Sequence, residues 1–488
     1  MSPQGASLLE TVVQAELAAA DAIAKFWYTL LVAGVNTSTD QATYKDDDER
    51  QIARLKADIA IAMVNPTNYF WLNPRARAKA WETKGRSVLD GLHNFFEDLN
   101  TNGGNPSLVN RSMFEVGRNL ATLPGTVVFR NELLELIRYD AVIKQMDEVP
   151  LVHEVPVVFV PPQINKFYIM ELAPGRSLIE HAVNNGQDAY VISWVNPGKE
   201  LSETKFYDYV TNGINVVLDF IGEKVNLLGL CLGGTLATMA TAYDAATKAN
   251  RINSLTLIVS LSDFGGNTGV MGAMLDRKAV EDVYKMTSKV GYLTGEQMGA
   301  GWAWIKSRDL VFLPAQNRWL LGEEAPAMDL LYWNGDGTRL AARMHHEYLL
   351  ACYIDNLLAN GEMVIDGHRL NIGDILVPVY AVGGRKDHIV PWESSFAGIS
   401  KTSGTHRFAL VPGGHIGTIV APPSPEASYM VSDNTYSESW KDTATKVTGD
   451  SWWTDWANWL EGLSGVLTQR SANKQNLGAA PGPYVLAA

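Results

Sequence analysis

Residues 229–233 have the sequence Gly-Leu-Cys-Leu-Gly, a spacing suited to nucleophilic chemistry. The pattern is that of a nucleophile elbow, Gly-x-nucleophile-x-Gly, with cysteine where serine usually stands. It follows the apolar run 225–228 and precedes a helical pattern over about 234–245, which predicts a strand, a sharp turn and a helix. The amides at the start of that helix would favour a thiolate. We interpret Cys231 as a candidate nucleophile.

An acid and a histidine follow in the order of a hydrolase-type triad: nucleophile, acid, histidine. The apolar run 375–382 predicts a buried strand that ends shortly before Asp387, and the run 407–411 predicts a strand that leads through Pro-Gly-Gly to His415. Because the carboxyl ends of parallel strands share one edge of a sheet, we expect these residues to meet there. The sequence therefore predicts a triad in which His415 is the base and Asp387 orients it.

Each candidate has a simpler alternative. A cysteine is often a small buried hydrophobic residue, and this is our interpretation of Cys352, which lies in a helical apolar run. Asp387 could instead cap a helix that begins near Trp392, and His388 competes with His415 as the base. We favour His415, because it follows the last predicted strand on a flexible Gly-Gly turn. We expect His388 to brace the acid loop, the loop after the predicted strand 375–382 that carries Asp387.

Composition excludes several functional classes. The chain has 488 residues, of which 46% are apolar, so it is long enough and apolar enough for two or three folded domains. A net charge of −13, without a basic stripe among aromatic residues, argues against nucleic-acid binding. Two cysteines in different contexts favour a reducing, intracellular compartment. No motif indicates a metal or a nucleotide, and the apolar run 26–35 is too short to cross a bilayer, so we expect no cofactor and no transmembrane segment.

Two kinds of pattern divide the chain. Residues 1–145 have helical periodicity and predict a mainly helical N-terminal domain. Residues 146–470 alternate strands and helices, which predicts a parallel sheet covered by helices. An aromatic-rich helical stretch at about 263–370 interrupts this alternation, and the composition of 471–488 predicts a flexible tail. With the triad order, these features predict an α/β-hydrolase fold with a helical cap insertion.

The individual elements can also be predicted. Strands are expected at 157–160, 189–194, 225–228, 254–260, 375–382 and 407–411, and helices at 112–123, 178–183, 207–221 and 234–245.

A cysteine nucleophile narrows the reaction. Attack of a thiol on a thioester yields another thioester, which keeps the acyl group activated and favours acyl transfer over hydrolysis. The backbone amide of Leu232, directly after the nucleophile, predicts one oxyanion donor. The loop after the strand 157–160, around Gln163 and Ile164, is expected to supply the second, and we assign it to Ile164.

Several motifs between residues 110 and 465 together resemble those of polyhydroxyalkanoate synthases. The box Gly-Leu-Cys-Leu-Gly-Gly-Thr around Cys231 is similar to that of the single-subunit, short-chain (class I) type, although the N-terminus is shorter than is usual there. The other motifs are Pro-Pro-Gln-Ile-Asn-Lys-Phe-Tyr-Ile at 161–169, Ile-Ser-Trp-Val-Asn-Pro at 192–197, Tyr-Trp-Asn-Gly-Asp-Gly-Thr-Arg at 332–339, Asp-His-Ile-Val-Pro-Trp at 387–392 and Gly-Gly-His-Ile at 413–416.

The resemblance implies a polymerase that converts (R)-3-hydroxyacyl-CoA, with 3-hydroxybutyryl-CoA as the expected monomer, into polyester and releases coenzyme A. It implies Cys231 as the chain-carrying nucleophile, with Asp387 and His415 as its partners. It also implies a cytoplasmic homodimer that contacts the growing chain and the surface of a polyester storage granule. The alternatives are a thioesterase or lipase-like hydrolase with the same triad, and an inactive binding protein of the same fold.

Overall fold

The computed structural model describes residues 3–143, 149–433 and 440–487 of the chain. These residues form two compact units. Unit 1 comprises the residues up to 113 together with 299–332, and unit 2 comprises residues 114–298 and the residues from 333 onward. Cys231, Asp387 and His415 all belong to unit 2.

Unit 2 is built on a ten-stranded mixed sheet. Its strands are β1 (Gly125–Arg130), β2 (Leu134–Tyr139), β3 (Val157–Val160), β4 (Ala189–Trp194), β5 (Val225–Leu230), β6 (Ile252–Ile258), β7 (Val379–Gly384), β8 (His406–Val411), β9 (Ser428–Ser432) and β10 (Thr445–Thr448). They lie in the order β1-β2-β4-β3-β5-β6-β7-β8-β9-β10. The six central strands, β3 to β8, run parallel to one another. The two strands at each edge, β1 with β2 and β9 with β10, pair antiparallel with their neighbours. Short strands also pair outside this sheet: Leu151–His153 with Leu467–Gln469, Tyr292–Leu293 with Leu340–Ala341, and Val364–Ile365 with His368–Arg369.

The central strands confirm the sequence-based predictions, and β3 and β4 have the predicted bounds. Every residue of β3, β4 and β5 is buried, as expected for parallel strands covered on both faces. β7 begins at Val379 and not at residue 375. The residue before it, Pro378, has no N–H to donate to a neighbouring strand, so regular pairing starts after the proline, at Val379.

The helices α1 to α18 include the predicted helix after the elbow and the predicted helix at 178–183. They are Pro3–Gln41, Asp47–Met63, Pro74–Glu82, Arg86–Thr101, Leu178–Asn184, Asn215–Ile221, Leu232–Thr247, Gly269–Ala273, Arg277–Val290, Gly295–Ile305, Leu313–Ala315, Asp329–Asn334, Ala342–Tyr348, Trp392–Ile399, His415–Ile419, Trp440–Thr443, Trp452–Glu461 and Pro483–Leu486. Wider π-helical turns lie at Tyr209–Ile214, Arg308–Phe312, Gln316–Leu320 and Leu349–Ile354. The first of these leads into α6 and completes the helix predicted over 207–221.

Unit 1 contains a buried ion pair between α4 and the middle of the predicted cap. The Arg318 side chain donates from Nε to Asp98 Oδ2 at 2.9 Å, and the side chains are 4% and 0% exposed. Trp319 Nε1 donates to the same oxygen at 2.8 Å, and Asn94 Nδ2 donates to the Arg318 carbonyl at 3.1 Å. Part of the predicted cap, residues 299–332, therefore groups with the N-terminal helices, because these long-range contacts bind it there.

Unit 1 also exposes a large amount of apolar surface. On α1, Phe26 and Trp27 are 59% and 64% exposed, and on α4 Leu89 is 69% exposed. By length and composition, the stretch Glu16–Gln41 of α1 is long and apolar enough to cross a membrane. Its mean hydropathy over a window of 18 residues is 1.3. The run 26–35 considered in the sequence is shorter, because it ends at Lys25 on one side and at the polar stretch 36–40 on the other. Length and composition do not separate a membrane span from a helix that packs on another apolar surface.

The N-terminal part of unit 2 differs from the sequence-based prediction. The predicted boundary at residues 145 and 146 lies outside the described residues, but β1 and β2 precede it and belong to the sheet. The helix predicted at 112–123 is wrong, since only a 3-10 turn, Arg111–Met113, lies there. Asn131 Oδ1 accepts from the amides of Leu133 and Leu134 and turns the chain between the two strands. The β-branched run 126–128 carried a strand signal that the helical interpretation missed.

The segment that the sequence assigns to a flexible tail packs along β1. The amide of Val127 donates to the carbonyl of Gly478 at 2.8 Å, and the amide of Leu477 donates back to Val127 at 2.8 Å. Arg138 donates to the Ser471 carbonyl at 2.8 Å. Polar, glycine-rich composition suggested a loose tail, yet these contacts cover a sheet edge whose backbone groups would otherwise be unpaired.

We predict that Asp98→Asn lowers the free energy of unfolding by about 3 kcal/mol at neutral pH, because it removes the buried carboxylate and leaves the buried Arg318 charge with only the exposed carboxylate of Glu97. Burial alone raises the pKa of Asp98, but hydrogen bonds from Arg318, Ser107 and Trp319 lower it below its ordinary value of 3.8. This contribution is therefore present above pH 3.8 and is lost as the pH falls through the lowered pKa. Urea titrations should show that the free energy of unfolding of Asp98→Asn is lower than that of the unsubstituted chain at pH 7. This difference should become smaller as the solution is made acidic.

The matched control is Asp282→Asn, which removes exposed ion pairs with Lys278 and Lys285 in unit 2. It should change the free energy of unfolding by less than about 0.5 kcal/mol. Equal effects of the two substitutions would contradict a stabilising role for the buried pair.

Candidate active site

The nucleophile candidate lies on a strained turn between β5 and α7. Cys231 has φ 52° and ψ −123°, a backbone conformation that non-glycine residues rarely adopt. Its amide donates to the Ile258 carbonyl at 2.9 Å, and its carbonyl accepts from the Ser260 hydroxyl at 2.8 Å and from the Gly234 amide at 2.9 Å. These bonds from the end of β6 and the start of α7 hold the elbow in place. The elbow predicted from the glycine spacing is confirmed as a local structure.

The glycines of the elbow are required by close backbone approaches. A Cβ atom on Gly233 would lie 2.2 Å from the Val160 carbonyl oxygen at the end of β3. A Cβ atom on Gly234 would lie 2.2 Å from Ser260 Oγ. The first turn of α7 therefore contacts the ends of both neighbouring strands. Larger residues cannot fit without moving the sheet.

The structure brings the predicted acid and base together. His415 is the first residue of α15, directly after β8 and the glycine turn. Its Nδ1–H donates to Asp387 Oδ2 at 2.7 Å. Asp387 Oδ1 accepts from the amides of Ile389 and Val390 at 2.9 and 3.0 Å. Both oxygens of the carboxylate therefore accept hydrogen bonds. The carboxylate of Asp387 does not cap α14, the alternative considered from sequence, because the N-cap residue of that helix is Pro391.

Electrostatics couple His415 to both candidate partners. Burial by itself lowers the pKa of His415, but the charges of Asp387 and Cys231, and hydrogen bonds with both, raise it to about 10. Since Nδ1 contacts the carboxylate, the remaining ring nitrogen, Nε2, is the one available to the thiol of Cys231. A protonated imidazole beside a thiol favours the thiolate, which is the attacking form of cysteine.

The structure also separates the competing residues. Cys352 is 2% exposed, and burial raises the pKa of its thiol, as expected for the hydrophobic packing role that we assign to it. The imidazole that pairs with Asp387 is that of His415. The amides of Ile389 and Val390 hold the loop that carries Asp387, and a bracing role for His388 in the same loop stays a prediction.

The two predicted oxyanion donors lie next to the elbow and in the loop after β3. Leu232 is the first residue of α7, where an amide has no partner within the helix. The Gln163 carbonyl accepts from the Thr338 hydroxyl, and the Ile164 carbonyl accepts from the Thr338 amide at 3.0 Å. The Ile164 N–H belongs to the same peptide group as the Gln163 carbonyl. In a trans peptide these two groups point in opposite directions, so the Ile164 N–H points away from the Thr338 hydroxyl. The assignment of both amides to an oxyanion hole stays a prediction.

Two tyrosines that the sequence analysis missed lie within electrostatic range of Cys231. Tyr348 and Tyr353 hydrogen-bond to each other on α13 and its π-helical turn. Burial raises both pKa values, that of Tyr353 to about 12, and the charge of Cys231 raises them further. π-Helical turns often occur at functional sites, but nothing in the local sequence indicates one here.

Within the part of the chain that the structure describes, no group of three or more histidine, cysteine, aspartate or glutamate residues could hold a metal ion. The chemistry that we derive for the site uses the side chains and backbone amides described above.

Comparison with known proteins identifies the class. Residues 172–422 match the family model of the α/β hydrolase fold, and residues 18–182 match the model described as the N-terminus of poly-beta-hydroxybutyrate polymerase (PhaC). The strained elbow, the mixed sheet with its parallel central strands and the first of these matches define an α/β-hydrolase-fold protein with a helical N-terminal region.

Curated relatives identify the family. Poly(3-hydroxyalkanoate) polymerase 1 of Ectopseudomonas oleovorans is 36% identical over 432 residues, which cover 86% of this chain and 76% of that protein. The poly(3-hydroxyalkanoate) polymerase of Methylorubrum extorquens is 35% identical, with 89% and 72% covered. The polymerase subunit PhaC of Cupriavidus necator is 33% identical, with 94% and 80% covered. This chain belongs to the poly(3-hydroxyalkanoate) polymerase family and is an acyltransferase.

We predict that Gly233→Ala destabilises the elbow, because the new Cβ would meet the backbone oxygen of Val160. The free energy of unfolding should fall by about 3 kcal/mol, and alkylation of Cys231 should slow. The control is Gly301→Ala, where a Cβ meets nothing within 4 Å on α10. Thermal unfolding and mass spectrometry would measure both effects. A Gly233→Ala variant as stable and reactive as the Gly301→Ala variant would contradict the close approach.

We also predict that Asp387→Asn slows alkylation of Cys231 by iodoacetamide at pH 7 by roughly tenfold. The raised pKa of His415 means that its positive charge is present at pH 7 and is lost only as the pH rises through about 10. Without the Asp387 charge, only Cys231 opposes the effect of burial, so the pKa of His415 should fall. The positive imidazole that assists Cys231 should then be lost at a lower pH than in the unsubstituted chain, where it persists up to about pH 10.

Asparagine keeps an Oδ1 that accepts from Ile389 and Val390, so the acid loop should keep its conformation. Asp282→Asn, on the surface of unit 2, is the control and should leave the alkylation profile unchanged. If the alkylation rate of Cys231 depends on pH in the same way in Asp387→Asn and Asp282→Asn, Asp387 does not act on Cys231 through His415.

Proposed function

We propose that this chain polymerises (R)-3-hydroxyacyl-CoA into polyester and releases coenzyme A, with Cys231 as the covalent acyl carrier. The observation that carries the proposal is the chain of contacts from Asp387 through His415 to Cys231, with 2.7 Å between the carboxylate and the imidazole. Membership in the polymerase family and the polymerase names of the relatives support the choice of reaction.

In the first step, the Cys231 thiolate attacks the thioester carbonyl of the acyl-CoA. The negative charge that develops on the carbonyl oxygen is stabilised by the amides that we assign to the oxyanion hole, those of Leu232 and Ile164. The bond between the acyl carbon and the CoA sulfur then breaks, and the departing thiolate takes the proton of His415. The products are acyl-Cys231 and free coenzyme A.

In the second step, the 3-hydroxyl of another hydroxyacyl-CoA attacks the acyl-Cys231 carbonyl. Neutral His415 accepts the hydroxyl proton, an ester bond forms, and the bond to the Cys231 sulfur breaks. The chain, now one unit longer and attached to coenzyme A, can return to Cys231 through the first step. Asp387 orients the imidazole in both steps and stabilises its protonated form.

A cysteine nucleophile suits this cycle because it exchanges one thioester for another. The acyl group on Cys231 keeps nearly the activation that it had on coenzyme A, so a hydroxyl can accept it. A serine would hold the acyl group as an oxygen ester, and transfer to a second hydroxyl would then have little driving force.

We extend the proposal to the short-chain, single-subunit type, with 3-hydroxybutyryl-CoA as the monomer, on the residue box around Cys231. We further propose that the chain works as a homodimer in the cytoplasm at the surface of a polyester granule. The exposed apolar side chains of unit 1, such as Phe26, Trp27 and Leu89, support this location, because an apolar polymer surface would remove them from water.

The decisive experiment compares two cysteine variants with the unsubstituted chain. With 3-hydroxybutyryl-CoA, Cys231→Ala should lower coenzyme A release by about 10,000-fold or more, since the acyl carrier is missing. Cys352→Ala removes the other cysteine, which is buried, and should retain most of the activity. Coenzyme A is followed with a thiol reagent and the polymer by chromatography.

The products separate the proposal from its alternative. Polymer formed together with coenzyme A supports polymerisation, whereas free 3-hydroxybutyrate without polymer would assign a thioesterase with the same triad. Full turnover by Cys231→Ala would reject the acyl-cysteine mechanism.

A further inference from the structure

Gln163 has a buried side chain amide that the protein does not satisfy. The residue is 4% exposed, and neither Oε1 nor Nε2 has a hydrogen-bond partner among the described residues. Leaving a buried donor or acceptor unpaired destabilises a protein, so native structures rarely keep one without a bound water or ligand. An amide with two unpaired groups is therefore a candidate binding group.

The backbone around Gln163 is held firmly. Its carbonyl accepts from the Thr338 hydroxyl, and the carbonyl of the next residue, Ile164, accepts from the Thr338 amide at 3.0 Å. Two residues earlier, the Pro161 carbonyl accepts from Trp194 Nε1 at 2.8 Å. Because these contacts fix the loop on both sides, the amide is presented by a rigid segment and not by a mobile surface loop.

Gln163 follows β3 at the edge of the sheet that carries the triad. Val160, the last residue of β3, pairs with Gly229 of β5, so both strands end side by side. The Pro161 carbonyl oxygen lies 2.6 Å from the Cβ position of Gly233 in the elbow. Two residues span at most about 7 Å, so Gln163 lies close to this contact. It also directly precedes Ile164, which we assign to the oxyanion hole.

The chemistry of the amide indicates its ligand. Oε1 can only accept a hydrogen bond and Nε2 can only donate, so full satisfaction requires a ligand with both a donor and an acceptor. A plain acyl chain offers no donor, and the phosphates of coenzyme A are better matched by cations. A 3-hydroxyacyl group has a hydroxyl that donates and, two carbons away, a carbonyl oxygen that accepts.

We propose that Gln163 binds the 3-hydroxyacyl group at this edge of the sheet and selects it over acyl groups that lack the hydroxyl. Oε1 accepts from the 3-hydroxyl, and Nε2 donates to a carbonyl oxygen of the same chain. This role rests on the proposed function of the site. It makes Gln163 a specificity residue, and it explains why a buried amide is kept unpaired in the protein alone.

The test compares acylation of Cys231 by 3-hydroxybutyryl-CoA and by butyryl-CoA, which differ only in the hydroxyl. Rapid quenching and intact-protein mass spectrometry would give the rate of acylation against substrate concentration. The unsubstituted chain should prefer the hydroxy substrate by about tenfold or more. Gln163→Leu should lower acylation by 3-hydroxybutyryl-CoA about tenfold to a hundredfold. It should change acylation by butyryl-CoA by less than about twofold, because the lost bond from Nε2 to the carbonyl oxygen is offset by removal of an Oε1 that butyryl-CoA leaves unpaired.

Stability gives a second, independent readout. Gln163→Leu removes a buried unpaired amide, so its thermal midpoint should equal or exceed that of the unsubstituted chain. Its Cys231 should also react normally with iodoacetamide, which reports an intact elbow. If leucine does not fit the site, Gln163→Met, which is unbranched and closer in shape to glutamine, keeps the comparison of the two substrates possible.

Gln187→Leu is the matched control. Gln187 is 2% exposed, its Nε2 is also unpaired, and it precedes β4 at the opposite edge of the sheet. Its Oε1 accepts from Ser464 at 3.0 Å, so the substitution should lower stability. It should leave the preference between the two acyl-CoA substrates unchanged.

An unchanged preference in Gln163→Leu would overturn the inference and would mean that the amide is satisfied by buried water. An equal loss on both substrates would also overturn it, because that result indicates a structural role. Failure of the proposed function looks different: the unsubstituted chain would then form no acyl-Cys231 with either substrate. A selective loss on 3-hydroxybutyryl-CoA with unaltered stability would establish the role.

Discussion

The site depends on the close approach of the first turn of α7 to the ends of β3 and β6. Gly233 and Gly234 allow contacts that any Cβ would block, at 2.2 Å from Val160 O and from Ser260 Oγ. This packing forces Cys231 into a positive-φ conformation, which the bond from Ser260 to its carbonyl helps to hold. The cost of the strained backbone is offset by the surrounding parallel sheet, whose strands are buried on both faces.

The same packing sets the electrostatics of the site. Burial disfavours a charged imidazole, yet Asp387 and Cys231 are close enough to His415 to reverse that effect and raise its pKa to about 10. The carboxylate can do so because two backbone amides of its own loop hold it in one orientation. Preorganised charge of this kind stabilises a reacting thiolate without waiting for solvent to rearrange. The repeated use of Cys231 that we propose would gain from such an arrangement.

Much of the site could be predicted from sequence, because its signals are local. The glycine spacing around Cys231 predicts the elbow, and the apolar runs before Asp387 and His415 place both residues at strand ends. The β1–β2 hairpin was missed, although its β-branched residues carried a signal. Nothing local distinguished Tyr353 as a neighbour of Cys231, because their proximity comes from a π-helical turn far along the chain.

By itself, the sequence determined the elbow, the order of the triad, the central strands and the resemblance to a polymerase family, since each depends on residues that are neighbours in the chain. Only the tertiary structure decided which histidine pairs with Asp387, that residues 299–332 group with the N-terminal helices, and that the C-terminal segment covers β1. It alone showed that the amide of Gln163 is unpaired. These facts concern contacts between distant segments, and such contacts are set by packing and burial, which no local pattern encodes.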